Sequence, residues 1–197
     1  MAKKKIKLKA VSHAPKVYEF KVSLLGTSPV VWRSFLAHEI IDLSELHMLI
    51  QMTMGWEARH LYEFKINGQS YGELDIDSEF ENDMIEAEGV TFGDVIKSSK
   101  KFIYIYDFGD GWQHEVEIVK VLEHDPRMNY PVCIGGENAC PPEDCGGPPG
   151  FEDLKKTLAG KDSEEKDEML TWVNGFYNPK TFDPNFINRH LLWADFE

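Results

Sequence analysis

The 197-residue chain lacks any apolar run approaching the roughly 18 residues that a membrane span needs, and its first residues lack the apolar stretch of a secretory signal. We therefore expect a cytoplasmic protein with no membrane partner. Cysteine is also scarce. The three cysteines are an odd number, which in a reducing compartment favours free thiols or a metal site over a disulfide framework.

Positive charge is scarce as well, since 21 lysines and arginines face 34 aspartates and glutamates, for a formal net charge of −13. Lysines are concentrated between Lys3 and Lys9, so the rest of the chain is more acidic still. Acidic surfaces repel phosphate backbones, which disfavours nucleic acid as a partner, although a short basic arm can contact it. We predict a flexible basic arm over residues 1–15 and a single α+β domain over residues 16–197.

Hydrophobic residues make up 42% of the chain, enough for a sizeable core. Their periodicity predicts an α+β fold with a mixed or mainly antiparallel sheet of about five to seven strands. One helix, capped by Asp42 or Ser44 and ending near Met54, should lie between the early strands. The predicted strands are Tyr18–Leu24, Val30–Leu36, His60–Ile66, a short return at Gln69–Tyr71, Phe102–Tyr106 and Trp112–Leu122.

Helical periodicity dominates the C-terminal part of the chain from about residue 150. It predicts helices over Phe151–Leu158, from Asp162 onward, and from a cap at Asp183 followed by Pro184. The acidic stretch Glu73–Gly89 has the composition of a loop. So does the segment from Tyr130 to Phe151, which holds all three cysteines and many glycines and prolines.

Three histidines occupy positions where the pattern requires an apolar residue. His47 lies on the stripe of the early helix, and His60 and His114 lie on the inward faces of their predicted strands. A buried imidazole needs partners for its ring nitrogens, which indicates nearby carboxylates, thiols or a metal ion. The alternative is a core histidine bonded to a backbone carbonyl or an acid, and both interpretations stay open.

The spacing Cys133-x6-Cys140-x4-Cys145 offers thiolate ligands for zinc but lacks the close CxxC pairing of recognisable zinc motifs. With His114 these cysteines would make a tetrahedral Cys3His site, so zinc is the candidate cofactor. In a second interpretation the cysteines pack as small apolar side chains under the loop. In a third, Cys145 is a nucleophile activated by His114, which requires a lowered thiol pKa.

Four carboxylates form a second candidate group: Asp107, Asp110, Glu143 and Asp144. Paired carboxylates can hold a divalent cation for hydrolytic chemistry. Acids in hairpin turns explain the same residues equally well, because Asx side chains bond to the backbone of such turns.

The segments TSPVVWRSF, LHMLIQMTMGWEARHLYEF, YIYDFGDGWQHEVEI, YPVCIGGENACPPEDCGG and FDPNFINRHL occur in that order. Together they resemble the plasmid-encoded ORF-three-like family of Ri-plasmid type, whose members also occur as passengers in transposons. The resemblance implies a compact α+β fold, no established activity, and a mobile-element context that favours a nucleic-acid partner. The family commonly has histidine where this chain has Tyr62. The matched motif positions are Trp32, Arg33, His47, Trp56, His60, Asp107, Asp110, Trp112, His114, Pro141, Glu143, Asp144, Cys145 and Gly146.

The leading hypothesis is a cytoplasmic binding or interaction module for a small molecule or peptide, with no catalytic residue of its own. Aromatic side chains with a few convergent polar groups are typical of such pockets. The alternative is a metal-dependent hydrolase, acting on nucleic acid or another substrate, with histidine and carboxylate ligands. The candidate pocket residues are His47, Trp56, His60, Asp107, Asp110, Trp112, His114, Glu143 and Asp144.

Overall fold

The computed structural model describes residues 14–74 and 83–193. Its strands are β1 Val17–Leu24, β2 Trp32–His38, β3 Tyr62–Ile66, β4 Gln69–Gly72, β5 Ile85–Glu86, β6 Lys101–Tyr106, β7 Trp112–Leu122 and β8 Val132–Glu137. Its helices are α1 Leu43–Met54, α2 Phe92–Ile96, α3 Gly147–Ala159, α4 Glu164–Trp172 and α5 Pro184–Leu191. The predicted basic arm falls almost entirely on residues outside the described ranges.

All eight strands belong to one sheet with the order β5-β4-β3-β6-β7-β1-β2-β8. Neighbouring strands are antiparallel except β4 and β5, which run parallel. The fold class is therefore α+β with a mainly antiparallel sheet, as predicted. The N-terminal hairpin does not form an edge, because β7 pairs with β1 on one side and β8 pairs with β2 on the other.

The helix α1 is explained by its sequence. The Asp42 carboxylate accepts a hydrogen bond from the backbone N–H of Glu45, and the Glu45 carboxylate accepts one from the N–H of Asp42, which together make a capping box. Apolar residues including Leu46 and Ile50 are buried on the side facing the sheet core. Gly55, with φ of 94°, ends the helix in the left-handed conformation.

The predicted number of five to seven strands was too low. The additional strands are β5, within the acidic stretch predicted as a loop, and β8, within the cysteine-rich segment. Gly135 and Gly136 give β8 little intrinsic strand preference, and the strand forms because β2 offers it an unpaired edge. The strand predicted from His60 begins at Tyr62, so His60 lies on the connection that precedes β3.

The C-terminal helices begin at Gly147, close to the predicted start of the helical part. Helix α5 contacts both β8 and α1, and α3 contacts α4. None of the helices in the described part of the chain has the length and apolarity that crossing a bilayer requires.

Candidate functional site

Three connections meet at one end of the sheet: residues 55–61 between α1 and β3, the turn 107–111 between β6 and β7, and residues 138–146 between β8 and α3. We call the last of these the 138–146 loop. It holds Glu143 and Asp144 from the sequence-predicted carboxylate group, and the turn holds Asp107 and Asp110. The structure therefore brings together the two halves of that group.

The 138–146 loop is fixed to the connection after α1 by side-chain hydrogen bonds. The Trp56 indole N–H donates to the carbonyl of Pro141 at 2.9 Å. Glu143 Oε1 accepts from the backbone N–H of Glu57 at 2.8 Å and from the Tyr106 hydroxyl at 3.0 Å. Glu143 thus joins the loop to both the connection and the end of β6.

A second set of contacts fixes the end of the 138–146 loop to the β6–β7 turn. Asp110 Oδ2 accepts a hydrogen bond from the backbone N–H of Gly146 at 3.1 Å. Gly147 follows with φ of 67°, and a Cβ at this position would overlap the carbonyl oxygen of Asp110. Only glycine combines that backbone conformation with so close an approach, which explains the GG pair after Cys145.

Asp107 organises the β6–β7 turn from a buried position. Its Oδ1 accepts from the backbone N–H groups of Gly109 at 2.9 Å and Asp110 at 3.3 Å, and its own N–H donates to the carbonyl of Leu61 at 3.0 Å. The turn interpretation of this acid is therefore correct for one of its oxygens. The other oxygen, Oδ2, lies 3.7 Å from His60 Nε2.

His60, Asp107 and Asp144 form a group that we call the rim cluster. His60 Nε2 lies 3.0 Å from Asp144 Oδ1, and one ligand atom from each of the three residues lies within 4.8 Å of the others. Within residues 14–74 and 83–193 this is the only set of three or more His, Cys, Asp or Glu side chains that meets this distance. The Asp144 side chain is 61% exposed and that of His60 30%, so the cluster opens to solvent.

His47 and His114 belong instead to a buried stack with Tyr104, Trp56 and Trp112. The ring of His47 lies parallel to that of Tyr62 at 3.7 Å, and its Nδ1 is 2.7 Å from the Tyr104 hydroxyl. His114 is fully buried, with Nδ1 3.3 Å from the Tyr104 carbonyl and its ring edge-on to Trp56. Burial lowers the pKa of both histidines to about 3, which keeps them neutral.

The cysteines and His114 do not converge as a zinc site in the described residues. All three thiols are free. Cys133 is buried in β8. Burial, with a smaller contribution from Asp110, raises the pKa of Cys145 to about 12, so the protonated thiol lacks the activation that a cysteine nucleophile needs.

Tyr106 is the residue of this site that sequence reasoning missed. Its hydroxyl donates to Glu143 and accepts from the backbone N–H of Arg59 at 3.0 Å, and its ring stacks on Trp56. The only signal in the sequence was its place directly before Asp107 at the end of a strand. That signal is too weak, because apolar and aromatic residues fill β6 from Phe102 to Tyr106.

Comparison with known proteins gives three findings. The sequence profile described as "Plasmid pRiA4b ORF-3-like protein" matches residues 16–186. A protein of Sinorhizobium fredii, described as "Uncharacterized protein y4hQ", is 35% identical over 160 residues, which cover 79% of this chain and 80% of that one. The crystal structure of the protein of unknown function MM3350 from Methanosarcina mazei Go1 superposes with a TM-score of 0.77 at 32% identity, covering 87% of this chain and 97% of that one.

Proposed function

The chain belongs to the plasmid pRiA4b ORF-3-like family, and we propose that it is a binding module that holds a divalent metal ion through His60, Asp107 and Asp144. The names of the two relatives assign no activity, so the proposal is supported by geometry alone. The observation that carries it is the convergence of three ligand atoms within 4.8 Å from three separate connections of the fold.

The state of His60 supports a metal ion over a simple ion pair. Its Nε2 is buried and makes no hydrogen bond of normal geometry within the described residues, although Asp144 Oδ1 lies 3.0 Å away. Two carboxylates held this close also repel each other unless a cation lies between them. A metal ion would accept the imidazole lone pair and neutralise both aspartates.

The ligand set restricts the ion. One imidazole nitrogen and two carboxylates suit Zn²⁺, Mn²⁺ or Fe²⁺, whereas Mg²⁺ and Ca²⁺ prefer oxygen ligands alone. Three protein ligands leave coordination positions unfilled. Because Asp144 faces solvent, a small molecule or a peptide with a donor atom can complete the coordination, which makes such a compound the proposed partner.

Calorimetric titration of the chelator-treated protein with Zn²⁺ and Mn²⁺ tests the proposal. We expect binding of one ion per chain, and a loss of at least about tenfold in affinity in Asp144→Asn and His60→Ala, because each removes a ligand. Asp153→Asn on α3 is the matched control, since it removes the same charge from an exposed position outside the cluster. No uptake of either ion, or equal affinity in Asp144→Asn and Asp153→Asn, would refute the site.

Metal-dependent hydrolysis is the second candidate, and a feature of Glu143 favours it. Its Oε2 is buried and has no hydrogen-bond partner among the described residues, and Glu143 directly precedes the ligand Asp144. A carboxylate beside a metal-bound water can act as a general base. Turnover of an activated phosphodiester that requires Mn²⁺ and is lost in Glu143→Gln with metal affinity retained would establish the enzyme. Metal binding without turnover would leave a binding module.

We also propose that the protein functions in the cytoplasm. The support is the state of its cysteines: all three are free, which suits a reducing compartment. The net charge of −13 continues to disfavour a nucleic-acid partner.

A further inference from the structure

A groove of about 630 Å³ lies between the end of α1, the chain after β8 and the start of α5. None of the three rim-cluster residues lines it. Its walls are mainly apolar, but Arg33 of β2 also lines it. The apolar lining includes Met52, Trp56, Cys140, Phe182, Phe186 and Ile187.

Arg33 is only 3% exposed, which is unusual for an arginine. Its Nε donates to the carbonyl of Thr53 at 2.9 Å, and its Nη1 donates to the carbonyls of Trp32 at 2.7 Å and Glu137 at 3.1 Å. Its guanidinium lies 4.7 Å from the ring centroid of Phe182. Every one of these contacts is uncharged.

The guanidinium lacks a counter-ion among the described residues. Burial lowers its pKa, but an arginine stays protonated in proteins. The titratable groups that act on its pKa are Cys140, Cys133 and Tyr177, and burial raises the pKa of each, so they are neutral. Asp183 also lines the groove, but its Oδ1 caps α5 and forms no ion pair with Arg33.

The groove therefore combines a mainly apolar lining with the buried cation of Arg33. A buried positive charge without a counter-ion is costly, and an anion that reached it would gain a charge-assisted hydrogen bond. Nη2 of Arg33 makes no hydrogen bond to any described residue, so its two N–H groups remain for a ligand. The single positive charge of Arg33 can neutralise one negative charge. This favours a carboxylate, which carries one charge, over a phosphate dianion, which carries two.

We propose that the groove binds a small apolar carboxylic acid, with its carboxylate on Arg33 Nη2 and its aliphatic or aromatic body against Phe182, Phe186 and Ile187. The volume is in the range of pockets that enclose small molecules. This site is separate from the proposed metal site and does not depend on it. It assigns a ligand-binding role to Arg33, a motif position that the metal site leaves without one.

Calorimetry with hydrocinnamate, octanoate and the uncharged amide of hydrocinnamate tests the charge requirement. We expect hydrocinnamate to bind at least about tenfold more tightly than its amide, because the amide cannot form the charge-assisted bond. Octanoate, which carries the same charge on an aliphatic body, should bind as well. Failure of either acid to bind, or equal affinity for hydrocinnamate and its amide, would overturn the proposal.

Replacing Arg33 could unfold the protein, because Arg33 also bonds three backbone carbonyls. The second test therefore uses a variant that leaves Arg33 in place. Phe186→Glu puts a carboxylate at the groove from a residue that is 55% exposed, and should weaken acid binding at least about tenfold by repulsion and competition for Arg33. Phe176→Glu, exposed and outside the groove lining, is the control. Equal affinity of the two variants for the acid would contradict the site. Zinc affinity, measured on both variants, should be unchanged, which would show that the loss of acid binding does not arise from the rim cluster.

Discussion

The buried stack and the rim cluster lie side by side, and the same sequence signal pointed to both. His47, His60 and His114 all occupied positions where an apolar residue was expected. Two of them became neutral core side chains that contact Tyr104, and the third, His60, is partly exposed beside two aspartates. A position where the pattern requires an apolar residue therefore does not decide whether an imidazole is buried in the core or meets carboxylates on a connection.

The difference arises from where each histidine lies in its element. His47 is inside α1 and His114 inside β7, on faces that pack against the core. His60 lies two residues before β3 begins, so it belongs to a connection and meets the turn acids of other connections. Side chains on connections carry binding groups more often than those on core faces.

The largest effect is expected from removing Trp56, which packs in the buried stack and also bonds the loop that carries Asp144. Trp56 is 6% exposed, packs on Tyr106, Trp112 and His114, and bonds the 138–146 loop. Trp56→Ala should lower the free energy of unfolding by about 3–5 kcal/mol, measured by urea denaturation.

Trp193→Ala is the control for this experiment. Trp193 is 88% exposed, and its removal should change the free energy of unfolding by less than about 0.5 kcal/mol. If Trp56→Ala and Trp193→Ala lowered the free energy of unfolding by similar small amounts, the stack would contribute little to the stability of the core.

The pH dependence of stability should come from the stack. The folded pKa of about 3 for His47 and for His114 lies below the ordinary value of 6.5. Well above pH 6.5 both histidines are neutral in the folded and the unfolded chain, so they add no pH dependence to the stability. As the pH falls below 6.5 the unfolded chain binds protons that the folded chain does not, so stability decreases until the pH nears 3.

Urea denaturation at pH 6.5 and pH 5 measures this effect, which should total about 3 kcal/mol for the two histidines. His38 adds a smaller loss in the same direction, since burial and His124 lower its pKa. His47→Gln should reduce the pH dependence by roughly half, whatever it does to the absolute stability. A profile that is flat in the wild type, or unchanged in His47→Gln, would place these imidazoles outside the core.

A third experiment disturbs the rim cluster through the backbone that supports it. Gly147→Ala should cost about 2 kcal/mol of stability, because the position has positive φ and the new Cβ overlaps the Asp110 carbonyl. The resulting shift of Asp144 should also weaken metal binding. Gly89→Ala has a similar φ of 74° but open space around it, so it should cost less and leave metal affinity unchanged.

Equal metal affinity in the two glycine variants would contradict the idea that the contact between the 138–146 loop and the turn positions Asp144. The free energies of unfolding and the metal affinities are measured on the same preparations, so a folding defect and a displaced ligand are told apart.

Local patterns in the sequence were sufficient for much of the fold. Alternation predicted β1, and a cap at Asp42 or Ser44 with an apolar stripe predicted α1 with its end near Met54. These elements depend on neighbours in the sequence. The strand β8 depends on the free edge of β2, a contact about 100 residues away that no local pattern contains.

The candidate site was predictable in its parts but not in its arrangement. All three rim-cluster residues were among the predicted pocket residues, and the turn interpretation, one of two left open for Asp107, agrees with the hydrogen bonds of its Oδ1. Their meeting depends on how Glu143 and Asp110 fix the 138–146 loop, which is a tertiary contact. The sequence pointed to this loop both for its thiols and for Glu143 and Asp144, and its carboxylates and backbone make the contacts that build the site.

The position of β1 in the sheet has a consequence for synthesis. Lys21 pairs with Glu117, so the first hairpin to leave the ribosome waits for a partner about 100 residues later, while at least one long edge stays unpaired. Such an edge is a template for wrong pairing with other nascent chains. Slow translation between the hairpin and β7 would prolong that exposure, so yield of native protein should fall when codons in this interval are slowed and recover with a holding chaperone.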